Sequence, residues 1–269
     1  MTYRMMTFLA LLFFQSIALA DQKQLNLTGS STVATLALEI AKRYEQLHPG
    51  VRIDVQTGGS TRGIIDARRG LADIGMVSRR LKVSERDLEA HTIALDGISI
   101  ILHRDNPVQT LSDDQIINIY TGEISNWSSL GGPDQSITVV NKAEGRSTLE
   151  LFLEHFHLKN SRIKADVVIG DNQQGIKTVA GNKGAIGYVS IGTAEYEQSI
   201  GTPIKRLPMA SVEAETTNVR NGLYPLSREL NLVTQGQDNA LVKNFIDFSQ
   251  SPAVIDLIEA QYFVPPSNR

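Results

Sequence analysis

The chain has 269 residues, 41% of them hydrophobic, with no cysteine and a formal net charge of −3. The lack of cysteine excludes disulfides, thiolate metal ligands and a cysteine nucleophile. The mildly acidic balance, about −4 once Arg4 is discounted, argues against a nucleic acid held by global charge, so any bound anion must rely on local dipoles and a few placed cations.

From the start of the chain, Arg4 precedes the apolar run "MMTFLALLFFQSIALA", which ends in Ala18-Leu19-Ala20. That is the layout of a secretory signal peptide cleaved after Ala20. The run is interrupted by Gln15 and is short for a membrane span. An exported periplasmic protein is expected, with no cysteine after the run to carry a lipid anchor. "LNLTG" and "VRIDVQT" read as strands on either side of a helix from Val33 to Leu47, which places Leu36, Ile40, Tyr44 and Leu47 on one face. His48-Pro49-Gly50 stops that helix. A second helix over Thr61 to Arg69 leads into the apolar "ADIGMV", and "SERD" at Ser84 to Asp87 is expected to open another as a Ser-x-x-acid cap. "GISIILH" has the continuous apolarity of a strand covered on both faces.

Further along, "SDDQIINIY" is a capped helix and "SITVVN" a strand. "STLELFLEHF" is a helix with Leu149, Phe152 and Phe156 on one side. "GAIGYVSI" is a strand, and "NALVKNFIDF" and "PAVIDLIEA" are two closing helices. Such alternation predicts an α/β architecture with mainly parallel sheets flanked by helices, and a ligand crevice beyond the strand carboxyl ends. Two lobes are expected, with crossings near Leu102 and Leu207. Lobe 1 then takes 21–102 plus 208–269, and lobe 2 takes 103–207.

Gly-x-Ser-Thr occurs three times, as Gly29-Ser30-Ser31-Thr32, Gly58-Gly59-Ser60-Thr61 and Gly145-Arg146-Ser147-Thr148. Each follows a predicted strand and precedes a predicted helix. The first amides of a helix lack intrahelical acceptors and carry the positive end of the macrodipole. Glycine admits close backbone approach, and hydroxyls add short donors, so three such corners on one cleft suit a tetrahedral oxyanion. Each corner taken singly is also an ordinary N-cap behind a turn. At the third, Lys142 and Arg146 bracket Glu144. They form either a solvated ion pair or a site in which Glu144 orients Lys142 while Arg146 reaches the ligand. "ADIGMVSRR" ends in Ser78-Arg79-Arg80. Ser78 and Arg79 fit the same cleft, a surface basic pair being the alternative, and Arg80 is assigned to solvent.

In these residues the chain resembles the periplasmic phosphate-binding family of the high-affinity phosphate ABC transporter, in its shorter form. "GSSTV", "GGSTRGI", "ADIGMVSR", "IYTGEISNWSSLGG", "GAIGYVSI" and "YPLSRELNLVT" occur in the family's order. The resemblance implies a two-lobe type II periplasmic-binding-protein fold, with binding roles for Ser31, Thr32, Ser60, Ser147 and Thr148. Trp127 is expected to pack in the second lobe. Three positions depart from the long form: Ser78 stands for a carboxylate, Lys142 for an arginine and Arg146 for a hydroxyl residue. The missing carboxylate is the usual acceptor for the proton of hydrogen phosphate, so discrimination against sulfate is expected to soften.

The candidate site is therefore Ser31, Thr32, Ser60, Ser78, Arg79, Lys142, Arg146, Ser147 and Thr148. Inorganic phosphate is the leading ligand, with sulfate, arsenate or an organic phosphate as alternatives. An inner-membrane ABC permease is the implied partner, and a monomer without cofactor, metal or catalytic residues is expected. A secreted phosphatase needs a nucleophile with a base, or a metal pair. None of His48, His91, His103, His155 and His157 lies in a corner, and His155 and His157 point to different helix faces. A sensor or adhesion module on the same fold is the third reading.

Overall fold

β1 (Lys23–Gly29), α1 (Ser31–Leu47) and β2 (Val51–Thr57) form a parallel βαβ unit, in register from Lys23 opposite Val51 to Gly29 opposite Thr57. These and all other positions come from a computed structural model describing residues 23–236 and 239–266; the signal-like segment 1–20 lies outside them. Leu36, Ile40 and Tyr44 of α1 are buried as their spacing predicts. Leu47 is instead 60% exposed, because His48 caps the helix there and the chain turns away before the last residue meets the core. α2 (Ser60–Arg68) leads to β3 (Ile74–Val77), parallel to β1.

The expected helix after Ser84 is only a single 3-10 turn, Val83–Glu85. Glu85 turns inward, accepting from the Lys82 amide at 2.8 Å, and Asp87 is drawn outward to Arg68, so neither serves as the acid of a Ser-x-x-acid cap. β4 (Glu89–His103) then runs for 15 residues. After it come α3 (Asp113–Tyr120), β5 (Thr138–Lys142), α4 (Ser147–His155), β6 (Val167–Ile169), α5 (Asn172–Ala180), β7 (Ala185–Ser190), α6 (Ile191–Ser199) and β8 (Ile204–Arg206). The chain closes with α7 (Thr216–Arg220), β9 (Ser227–Thr234), α8 (Ala240–Ser249) and α9 (Ile255–Ala260).

The strands lie in the order β2-β1-β3-β9-β4-β7-β5-β6, with β8 beside β4. Pairs toward the two ends are parallel, whereas β3–β9, β4–β9, β4–β7 and β4–β8 are antiparallel. β4 pairs with β9 as far as Gly97 and with β7 from Ile98 onward, so one strand serves both halves of the molecule. Ile98, Ile100 and Leu102 face one apolar cluster and Ile101 the opposite one, as a strand covered on both sides requires.

Two main cores flank this junction. One gathers Leu25, Leu36, Ile40, Met76, Ile93, Leu232 and Phe245. The other gathers Tyr120, Trp127, Phe152, Phe156 and Tyr188. Trp127 is fully buried there, and its indole N–H donates to the Gly184 carbonyl at 2.9 Å. Complete burial of a large apolar side chain contributes about 1.5–3 kcal/mol. Leu207, Met209, Val219, Tyr224 and Leu226 belong to the second core as well. The packing favours crossings at Gly97–Ile98 and Leu226–Ser227 over crossings at Leu102 and Leu207. We propose lobe 1 as 23–97 with 227–266, and lobe 2 as 98–226.

Candidate anion-binding site

The three Gly-x-Ser-Thr corners meet between the two cores. Ser30, Ser31 and Thr32 from the start of α1, and Gly59 and Ser60 from the start of α2, face Arg146, Ser147 and Thr148 at the start of α4 across one cleft. Ser78 at the end of β3, Lys142 at the end of β5, and Gly170 and Asn172 before and at the start of α5 complete the lining. Parallel strands deliver these positions, because each strand ends where the next helix begins.

The corners differ in how their amides are used. At α1 the Ser30 hydroxyl accepts from the Val33 amide at 3.3 Å, an ordinary N-cap. α2 and α4 have no side-chain cap at all. Their first amides therefore point into the cleft with the positive end of the helix dipole behind them. The Thr61 amide is an exception, donating across the cleft to the Gly145 carbonyl at 3.2 Å. Ser147 Oγ and Arg146 Nε are buried and have no hydrogen-bond partner in the protein, which leaves both free for a ligand. Buried polar groups are seldom left so.

The hydroxyls are wired by donors behind them. Ser30 Oγ donates to Ser78 Oγ at 3.0 Å, and the Ser78 amide donates to Ser60 Oγ at 3.2 Å. Thr32 Oγ1 accepts from Asn172 Nδ2 at 3.0 Å and from Arg228 Nη2 at 3.3 Å. Arg228 Nη1 donates to Thr148 Oγ1 at 3.0 Å and lies 3.5 Å from Ser78 Oγ. Arg228 is anchored from behind by Asp96, whose Oδ2 takes Nε at 3.0 Å and Nη2 at 2.7 Å. Both side chains are essentially inaccessible, at 1% and 0% exposure, and they face each other across β9 and β4 at the crossing. Asp96 Oδ1 also accepts the Gly192 amide at 3.2 Å. Arg228 thereby places a paired cation behind hydroxyls from both lobes.

Lys142 is 3% exposed. Its ammonium nitrogen donates to the Asp171 carbonyl at 2.7 Å and to Asn172 Oδ1 at 3.1 Å. Burial pushes its pKa down to about 7; Arg228 and, more weakly, Arg146 push the same way, while Asp171 pulls against them by more than Arg146 adds. Glu144 does not orient it. That carboxylate is exposed and accepts from Asn160 Nδ2 at 3.0 Å, because the turn at Gly145 carries it out of the cleft.

Arg79 lies outside the cleft. It is buried between Glu85, with bonds of 2.7 and 2.9 Å, and Glu150 of α4, whose Oε2 lies 2.8 Å from Arg79 Nε. Glu150 also meets Lys82 at 2.8 Å and Thr61 Oγ1 at 3.1 Å. A carboxylate of lobe 2 thus gathers three groups of lobe 1. Two acids claim the guanidinium, so it joins the lobes instead of facing the anion site. Arg80 is at the surface, paired with Glu229. The other eight expected residues all line the cleft. Asn172, Arg228 and Asp96 carry no local mark. Arg228 sits within "YPLSRELNLVT", and only the pairing of β4 with β9 brings it to Asp96.

A family model described as "PBP superfamily domain" matches residues 16–253. Among named relatives, the phosphate-binding protein PstS of Bacillus subtilis is 28% identical over 90% of this chain and 80% of its own length. A Clostridium perfringens protein, described as a phosphate ABC transporter substrate-binding protein and solved with bound phosphate, superposes with a TM-score of 0.83 at 32% identity, over 91% of this chain and 100% of that one. The ABC-type phosphate transport receptor of Vibrio cholerae superposes with a TM-score of 0.73 at 32% identity, over 90% of this chain and 100% of that one. With its helix starts gathered between two lobes and likeness along nearly its whole length, the chain belongs to the PBP superfamily and, within it, to the phosphate ABC transporter substrate-binding proteins.

Proposed function

We propose that the protein captures inorganic phosphate between its lobes in the periplasm and passes it, as a monomer, to an inner-membrane ABC permease. The convergence of three helix starts, two of them without side-chain caps, on a cleft with Lys142 and Arg146 carries this reading. Ser31, Thr32, Ser60, Ser78, Ser147 and Thr148 supply backbone or hydroxyl donors, while Lys142 and Arg146 supply the nearest cations. Arg228 acts from behind. No histidine, aspartate or glutamate lines the cleft among the described residues. That leaves hydrolysis without a histidine or carboxylate base beside the hydroxyls. No helix among the described residues is long and apolar enough to cross a membrane.

Titration calorimetry of the purified chain with phosphate is expected to give one site per monomer. Arg146→Met removes a charged donor worth ~1.5–3 kcal/mol, so its affinity is expected to fall about 10- to 100-fold. Absence of heat or thermal-shift response with phosphate, sulfate and arsenate alike would exclude the receptor reading. Turnover of a chromogenic phosphate ester, lost in Ser147→Ala, would replace it with a hydrolase.

A further inference from the structure

Glu150 stands one helical turn from the anion site without entering it. It lies three residues after Ser147 in the first turn of α4, so the two side chains share a helix face. Ser147 lines the cleft, whereas Glu150 lines the neighbouring cavity together with Arg79 and Lys82. Its Oε2 lies 2.8 Å from Arg79 Nε and 2.8 Å from Lys82 Nζ, and its Oε1 accepts from Thr61 Oγ1 at 3.1 Å. The two cations meet Oε2 as ion pairs and not as aligned hydrogen bonds. All three partners belong to lobe 1, and Glu150 belongs to lobe 2.

The lobe 1 side of this contact is assembled without Glu150. Glu85 grips Arg79 Nη1 at 2.7 Å and Nη2 at 2.9 Å, and it also accepts the Lys82 amide at 2.8 Å. With both Nη groups held, Nε is the edge left for a carboxylate from across the lobes. Arg79 is 5% exposed and Glu150 23%, so their attraction is screened less than that of a surface pair. Separation of the lobes would leave Arg79 its bidentate partner and strip Glu150 of all three of its own. Glu150 is therefore the moving half of the contact and Arg79 the fixed half.

We propose that Glu150 is the latch of the closed receptor: a positioning residue that touches no anion, yet holds lobe 1 against the turn of α4 that carries Ser147 and Thr148, and so slows the departure of phosphate. This rests on the receptor reading and the lobe division above, and it adds the group that sets the dwell time of the bound ion. Charge alone predicts the opposite sign. An acid in the first turn of a helix competes with a bound anion for the positive end of the dipole, so neutralising it would tighten phosphate binding. A latch predicts that the same substitution loosens it.

The test is calorimetry and stopped-flow kinetics of the intact chain carrying Glu150→Gln, which keeps the shape of the side chain and an oxygen for Thr61 but removes the charge. Phosphate and arsenate are both expected to bind about tenfold more weakly, because Glu150 lies outside the cleft that tells anions apart. The loss is expected in faster dissociation, with association not slowed. Without ligand the melting temperature is expected to match the wild type, while the rise at saturating phosphate shrinks. Lys82→Gln, at a side chain 54% exposed, removes one arm of the latch from the surface. It is expected to weaken phosphate about two- to fivefold alone and to add nothing to Glu150→Gln. Unchanged or tighter phosphate binding in Glu150→Gln overturns the proposal, as does a loss confined to one of the two anions. A melting temperature lowered equally with and without phosphate overturns it too, since that is the mark of a structural strut. Should Glu150→Gln fail to fold, phosphate affinity in Lys82→Gln equal to wild type overturns it. In each of those cases the wild type still binds phosphate and the receptor reading survives. Absence of phosphate binding by the wild type sinks both together.

Discussion

Arg228→Met is expected to cause a large loss of stability together with a large loss of phosphate affinity, and a second substitution should separate the two. In the folded protein Arg228 spends two donor groups on Asp96 and reaches Thr148, Thr32 and Ser78 with its guanidinium edge. Removing it leaves the Asp96 carboxylate fully buried with only the Gly192 amide as a partner. Breaking a buried pair from one side costs ~3–5 kcal/mol, which for a chain of this size lowers the melting temperature by about 6–20 °C. Adding Asp96→Asn removes the stranded charge and is expected to recover a substantial part of that loss. It cannot restore the donors behind Thr32 and Thr148, so phosphate affinity is expected to stay about 10- to 100-fold below wild type in the double variant. Calorimetric melting and phosphate titration on all three proteins read both quantities. A double variant that binds phosphate like the wild type would reduce Arg228 to a structural strut.

Features that depend on neighbours in the chain were legible in the sequence. The apolar stripe of α1, the Ser112 cap of α3 and the Leu149–Phe152–Phe156 face of α4 are set by residues within a few positions, and they are present in the fold. The three corners also announce themselves, because a glycine turn followed by hydroxyls at a helix start is a local arrangement. Long-range pairing set the limits. Arg79 looks like a cleft residue until Glu85 and Glu150 claim it from two sides. Asp96 and Arg228 are separated by 132 positions and meet only because β9 enters the sheet between β3 and β4. The crossings proposed above leave no local mark for a related reason. β4 is one unbroken strand of 15 residues, so the place where it changes partner leaves no break in its hydrophobicity.

The contact between the second and third corners leads to the other large expected effect. Gly59 has φ of 95° and ψ of 157°, a region essentially closed to other residues. A Cβ built there would stand 2.6 Å from the Gly145 carbonyl oxygen and 3.0 Å from Arg146 Cδ, both of which belong to the opposite lobe. Gly59→Ala is therefore expected to act twice. Local strain of ~1–3 kcal/mol falls on the folded chain whatever the lobe position. If the lobes part when the anion leaves, the clash with Gly145 is confined to the closed form, where it also disturbs the bond from the Thr61 amide to that same carbonyl. The alanine protein is expected to melt a few degrees lower while phosphate affinity falls ~100-fold, beyond what the strain alone explains, because strain shared by the free and bound forms cancels from binding. Small-angle scattering with saturating phosphate is expected to show compaction in the wild type and a reduced change in the variant. Gly50→Ala is the control, since Gly50 also has positive φ, at 93°, but nothing lies within 4 Å of its Cβ position. Its strain should lower the melting temperature and leave phosphate binding intact. Equal loss of affinity in the two variants would show that backbone strain, and not the meeting of the lobes at Gly59, governs the anion site.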